Sequence, residues 1–123
     1  MILVDTSVWV DHLRSGDAAL AARLEAGHVL MHPFVLGELA LGSLRRRETV
    51  LALLHDLPPA TAATDAEVLY FVESHRLWGR GIGWVDAHLL AAARLTAGAG
   101  VWSRDRSLTA VGRDLGLLWE EAA

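Results

Sequence analysis

The sequence predicts a three-layer α/β/α sandwich built on a short central, mostly parallel sheet. Short apolar, β-favouring runs at Met1–Val4, His28–Met31 and Gly100–Trp102 are separated by stretches of helical spacing, and strands alternating with helices make parallel sheets covered on both faces. The chain of 123 residues suits one domain, 1–123, with its own core. At 53% apolar and 21% charged residues, with three prolines, it lacks the composition of a disordered chain.

The elements follow in order. Met1–Val4 is the first strand and ends in a carboxylate, Asp5; a helix starting near Val8 could take its cap from Asp5, Thr6 or Ser7. Ala18–Ala26 reads as a helix behind an Asp17 cap, and His28–Met31 as the second strand. Phe34–Leu44 follows Pro33 as a helix, and Glu48–His55 carries a leucine-rich face. Leu57-Pro58-Pro59-Ala60 is a loop leading into another short strand. Thr64-Asp65-Ala66-Glu67 fits a capping box opening a helix to about Arg76. Val85–Ala97 is helical, Gly100–Trp102 is a strand, and Ser107–Leu115 leads to a last strand at Leu117–Trp119. The loop Gly79-Arg80-Gly81-Ile82-Gly83 invites a phosphate-loop reading, but it lacks the full dinucleotide spacing and follows no strand directly.

Composition removes whole classes of chemistry. Cysteine is absent, which excludes disulfides, thiolate metal sites and thiol nucleophiles. All eleven basic residues are Arg, so no Schiff base or phosphate-loop lysine is available. A formal charge of −4 argues against binding nucleic acid through bulk charge. No apolar run approaches the roughly 18 residues of a membrane span, so no membrane association is expected and the compartment expected is the cytoplasm.

Four acids stand where surface acids do not belong. Glu38 has Phe34, Val35, Leu41 and Gly42 at helical neighbour positions, which places a carboxylate in an apolar stripe. Asp86 begins a face continued by Leu89, Leu90 and Ala93. Asp5 closes the first strand, and Asp105 follows the Gly100–Trp102 strand, at the carboxyl ends where open parallel sheets bind ligands. Each has a plainer role open to it: a cap for Asp105 or Asp5, a helix-dipole contact for Asp86, a buried ion pair with an Arg for Glu38. Together they are harder to explain, because two carboxylates about 4 Å apart repel by roughly 4 kcal/mol at an effective dielectric near 20. A hard divalent cation, Mg²⁺ or Mn²⁺, relieves that repulsion with all-oxygen ligands.

These residues carry a family resemblance. Val4-Asp5-Thr6-Ser7-Val8-Trp9, Val35-Leu36-Gly37-Glu38-Leu39, Gly83-Trp84-Val85-Asp86-Ala87-His88-Leu89 and Val101-Trp102-Ser103-Arg104-Asp105-Arg106-Ser107-Leu108 stand in order over nearly the whole chain. In this the chain resembles the PIN-domain ribonucleases, and more narrowly the VapC toxins of bacterial type II toxin–antitoxin systems. The resemblance implies a PIN-like sandwich with Asp5, Glu38 and Asp86 as an acidic triad and Asp105 as a fourth, more variable acid. It implies that these four hold Mg²⁺ or Mn²⁺ and catalyse RNA hydrolysis by metal-activated water, leaving 5′-phosphate and 3′-hydroxyl ends. Ser103 stands where the family often has Thr, and Thr6, Ser7 and Ser103 could orient carboxylates. A homodimer and a VapB-type antitoxin that blocks the site are implied in the same way.

Beside the acids, Arg45, Arg46, Arg47, Arg80, Arg104 and Arg106 are candidates for phosphate contacts, with a solvated turn as the plain alternative for the triplet. His28 and His32 sit about 13 Å apart if extended, too far to share an ion, and are expected to be structural. His88, two residues from Asp86 on a helix, does not face it. Three other readings compete. A phospho-acceptor or haloacid-dehalogenase-type enzyme needs a lysine that is absent; a PIN nuclease outside toxin–antitoxin systems and a catalytically inactive PIN-like interaction module remain as alternatives.

Overall fold

The computed structural model describes residues 1–121. The chain runs β1 (Ile2–Val4), α1 (Thr6–Ser15), α2 (Ala18–Glu25), β2 (Val29–Leu30), α3 (Pro33–Ala40), α4 (Arg47–His55), α5 (Asp65–His75), α6 (Trp84–Leu95), β3 (Gly100–Trp102) and α7 (Arg106–Asp114). The strands form one parallel sheet in the order β2-β1-β3. Ile2 and Leu3 pair with Val29 and Leu30 on one side; Ile2, Leu3 and Val4 pair with Gly100, Val101 and Trp102 on the other. Such short strands are held by their side chains: Ile2, Leu3, Val4, Val29 and Leu30 are all buried. This is the expected α/β sandwich.

Two buried clusters share the interior. One joins β1 and β2 to Val8 and Trp9 of α1, Leu20 of α2, Val35 and Leu39 of α3 and Leu54 of α4. The other joins Val101 to Val68 and Phe71 of α5 and to Leu108 and Val111 of α7. Helix α6 serves both, with Leu89 and Ala92 in the first and Leu90, Ala91 and Ala93 in the second. A helix buried on nearly all sides reads as continuous apolar sequence, as Leu89–Ala93 does.

Two expected strands are replaced by single bridges. Leu118 bridges Val101 through Val101 N–H to Leu117 O at 2.7 Å and Trp119 N–H to Val101 O at 2.8 Å, and no strand forms at Leu117–Trp119. Gly100 admits this approach: a Cβ there would come within 3.1 Å of the Trp119 backbone nitrogen. The strand expected to follow Leu57–Ala60 does not form among the described residues; the loop itself makes a single bridge, from Met31 to Pro59, which has no N–H to extend a ladder. Helix α1 begins at Thr6, earlier than expected, and α3 ends at Ala40 rather than Leu44. The guanidinium of Arg47 donates to the carbonyls of Ala40 and Gly42, satisfying acceptors that a longer helix would have used. The Thr64–Glu67 capping box forms as expected.

His32 is structural, as expected, and its role is specific. It caps α3, its Nδ1 accepting the Phe34 N–H at 3.0 Å, so the proton sits on Nε2. The ring is 1% exposed, and Nε2 finds no partner among the described residues. Burial, with the His88 ring beside it, pushes its pKa down from 6.5 to about 4. The unfolded chain therefore binds this proton more readily than the folded one. Stability from the neutral ring is fully present above pH 6.5 and is lost as pH falls towards 4, by about 2 kcal/mol between pH 7 and pH 5. Urea midpoints at the two pH values should move further in the wild type than in His32→Asn, whose amide oxygen can replace the cap; parallel shifts would contradict this account.

Candidate active site

In the strand order β2-β1-β3 the chain passes from β1 to β2 on one side and later reaches β3 on the other. The crevice at such a switch point opens at the carboxyl ends of the two strands, here β1 and β3. Asp5 leaves β1 there, 7% exposed, and Ser103 to Asp105 leave β3. Asp5 is the residue before α1, but its side chain caps nothing. Its Oδ2 accepts Ser7 Oγ at 2.6 Å and Ser103 Oγ at 2.8 Å.

Glu38 reaches the cluster from α3, its Oε1 accepting Thr6 Oγ1 at 2.7 Å. The expectation that it lies in a buried stripe is corrected. Val35 and Leu39 form the buried edge of α3, whereas Phe34 is 37% and Leu41 90% exposed, so the stripe containing Glu38 opens to solvent. Asp86 sits in the first turn of α6, half-buried, with Oδ2 accepting the Gly83 N–H at 3.0 Å. Burial is the main influence raising its pKa; the Gly83 hydrogen bond opposes this, and the charges of Asp5, Asp105 and Glu38 add to it. Asp86 thus feels all three other acids. Asp105 caps α7, with Oδ1 accepting the Leu108 N–H at 2.8 Å.

Each of the four carboxylates commits one oxygen to a protein donor, and the second takes no hydrogen bond among the described residues. For Asp5 and Asp86, the two less exposed of the four, that second oxygen is not sealed from solvent. Among the described residues, no three His, Asp or Glu side chains close on one point as a finished metal cage. This donor set fits a hard cation that keeps several of its waters and takes only one or two carboxylates directly.

The arginines divide. Arg104 is bound to the carboxylates of Asp11 and Asp17, Arg80 pairs with Asp114 at 2.7 Å, and Arg47 is spent on the end of α3. Arg45, Arg46 and Arg106 are exposed and form no ion pair among the described residues. Arg45 and Arg14 line a groove of about 470 Å³ that starts at Glu38. Arg14 had no signal in the sequence, since a basic residue ending a helix already complements the dipole. The Gly79–Gly83 loop is no phosphate cradle: Gly83 gives its N–H to Asp86 and Arg80 is paired. His88 is buried between Phe34 and Trp84, ring centroids 4.6 and 4.7 Å away, and Asp65 Oδ1 lies 3.2 Å from its Nε2 without the alignment of a hydrogen bond.

Residues 2–114 match the model of the PIN domain. Over 121 residues, 98% of both chains, the sequence is 48% identical to ribonuclease VapC32 of Mycobacterium tuberculosis, in strain CDC 1551 / Oshkosh and equally in strain ATCC 25618 / H37Rv. The chain belongs to the PIN-domain family and, within it, to the VapC group.

Proposed function

We propose that this chain is a Mg²⁺- or Mn²⁺-dependent endoribonuclease toxin held in check by a VapB-type antitoxin. The observation that carries this is the set of four acids at the β1/β3 crevice, each held by one oxygen with the other uncommitted. The similarity to a ribonuclease over 98% of the chain supports it. Asp5 and Asp86, helped by Glu38 and Asp105, would hold the cation, which supplies charge neutralisation at a scissile phosphate and acidification of a water. Ser7 and Ser103 orient Asp5, and Thr6 orients Glu38. No side chain among the described residues is placed as a nucleophile; water attacks the phosphorus and the 3′-oxygen leaves, giving a 5′-phosphate and a 3′-hydroxyl. Arg45, Arg46, Arg106 and Arg14 are the cations left for RNA phosphates, and single-stranded loops are the form of RNA such a site reads.

A homodimer and an antitoxin both need apolar surface. A groove of about 460 Å³ between α5 and α6, with Tyr70 76% and Leu95 46% exposed, and the Leu41 and Leu53 surfaces near α4 supply it. Among the described residues no helix is long and apolar enough to cross a membrane; the compartment proposed is the cytoplasm.

The test is total cellular RNA incubated with partner-free protein in Mg²⁺, Mn²⁺ or EDTA. Discrete fragments with 5′-phosphate ends, formed only with metal, are expected. Equal cleavage in EDTA, or intact RNA under every condition, would contradict the proposal.

A further inference from the structure

Arg104 stands at the centre of contacts that the acid cluster alone does not explain. Its guanidinium bridges Asp11, on the outer face of α1, and Asp17, at the head of α2, residues 93 and 87 positions away in the chain. Its backbone points the other way, and the Arg104 N–H donates to Ser7 Oγ at 3.0 Å. The next N–H, of Asp105, donates to Ser103 Oγ at 2.9 Å. A hydroxyl has one proton to give. Each oxygen already accepts an N–H, and each hydroxyl donates its proton to Asp5 Oδ2, at 2.6 and 2.8 Å, contacts much shorter than the 3.4 Å between the two hydroxyls. The loop after β3 thereby decides which oxygen of Asp5 is occupied and leaves Oδ1 for the site.

We infer that Arg104 is a positioning residue for Asp5: by clamping the loop after β3 to α1 and α2, it holds Ser7 and Ser103 as donors to Oδ2. The inference rests on the ribonuclease reading and removes Arg104 from the RNA-contacting set. A planar fork held by two carboxylates is matched in geometry as well as charge. Swinging out to a phosphate would strand Asp11 and Asp17 beside an already acidic site. The pKa directions agree with this pairing. Asp17 is lowered, first by the Leu20 N–H it caps; burial opposes this, and Arg104 lowers it further; the guanidinium is raised, first by Asp11 and then by Asp17.

Arg104→Gln, the Asp11→Asn/Asp17→Asn pair and the triple variant test this in the full-length chain, with circular dichroism as the folding control. Asn at 17 keeps the cap to Leu20 and removes only the charge. Arg104→Gln should lower kcat by about 10–100-fold and weaken Mn²⁺ binding by a similar factor, with KM nearly unchanged. The Asp pair should do the same, and the triple variant should lose no more than the worse of the two. In Asp86→Asn protein with EDTA, adding Arg104→Gln should leave RNA affinity and its salt dependence unaltered. Two results would overturn the inference: an unchanged kcat with raised KM and a salt slope shallower by about one, the mark of a lost phosphate contact, or full activity in the Asp pair. If Arg104→Gln does not fold, the Asp pair decides alone. Should the wild type cleave no RNA, the ribonuclease reading fails on its own, and the Mn²⁺ affinities still decide the clamp.

Discussion

Asp86→Asn should fold normally and lose metal-dependent RNA cleavage by at least about a thousandfold, equivalent to some 4 kcal/mol of transition-state stabilisation. The substitution barely changes volume, and an amide oxygen can still accept the Gly83 N–H that tethers the side chain at the start of α6. What disappears is the charge that Asp5, Glu38 and Asp105 oppose. Without metal the variant should therefore be at least as stable as the wild type, because a half-buried anion among three others is removed. Added Mg²⁺ should raise the melting temperature of the wild type and not of the variant, since binding to the native state stabilises it by mass action. Melting curves with and without Mg²⁺, beside cleavage rates, check both halves. A variant that cleaves as well as the wild type would remove Asp86 from the site.

Leu3→Ala should cost about 2–5 kcal/mol, a large share of the roughly 5–15 kcal/mol that holds a domain of this size. Leu3 is fully buried on β1, the central strand, paired to Leu30 on one side and Val101 on the other. No neighbouring strand residue can move in to fill the void without breaking a register that spans only two or three residue pairs per side. The loss also reaches the site, because Asp5 leaves the same strand two residues later. Urea titration should show a lower midpoint with an unchanged slope. A loss below about 1 kcal/mol would mean that the sheet is not the anchor of the fold.

The parts of this molecule that were legible in the sequence are those written locally. An apolar run ending in Asp5, the Thr64–Glu67 box and the continuous apolar stretch of α6 each announce their element within a few residues. That Asp5 and Asp105 lie together was legible because strand ends in a parallel sheet share one edge, whereas Glu38 and Asp86 come from helices α3 and α6, whose placement no local pattern gives. The Arg104 bridge was not, since Asp11 and Asp17 each look like ordinary surface or cap residues until the fold brings α1, α2 and the loop after β3 together. The surroundings of Glu38 were misread for a related reason: spacing gives a stripe, but not which edge of it meets the core, and Val35 and Leu39 took that edge. The length of α3 was set by Arg47 reaching back from the next helix, and the last strand by a single bridge to Val101.

The central claim is that the acids at the β1/β3 crevice act together as a divalent-cation site. Titrating Mn²⁺ into partner-free protein, followed by electron paramagnetic resonance of the unbound ion, tests it most directly. Saturable binding in the wild type, displaced by Mg²⁺ and lost in Asp86→Asn, is the predicted result. No saturable binding, or binding of equal strength in Asp86→Asn, would contradict it.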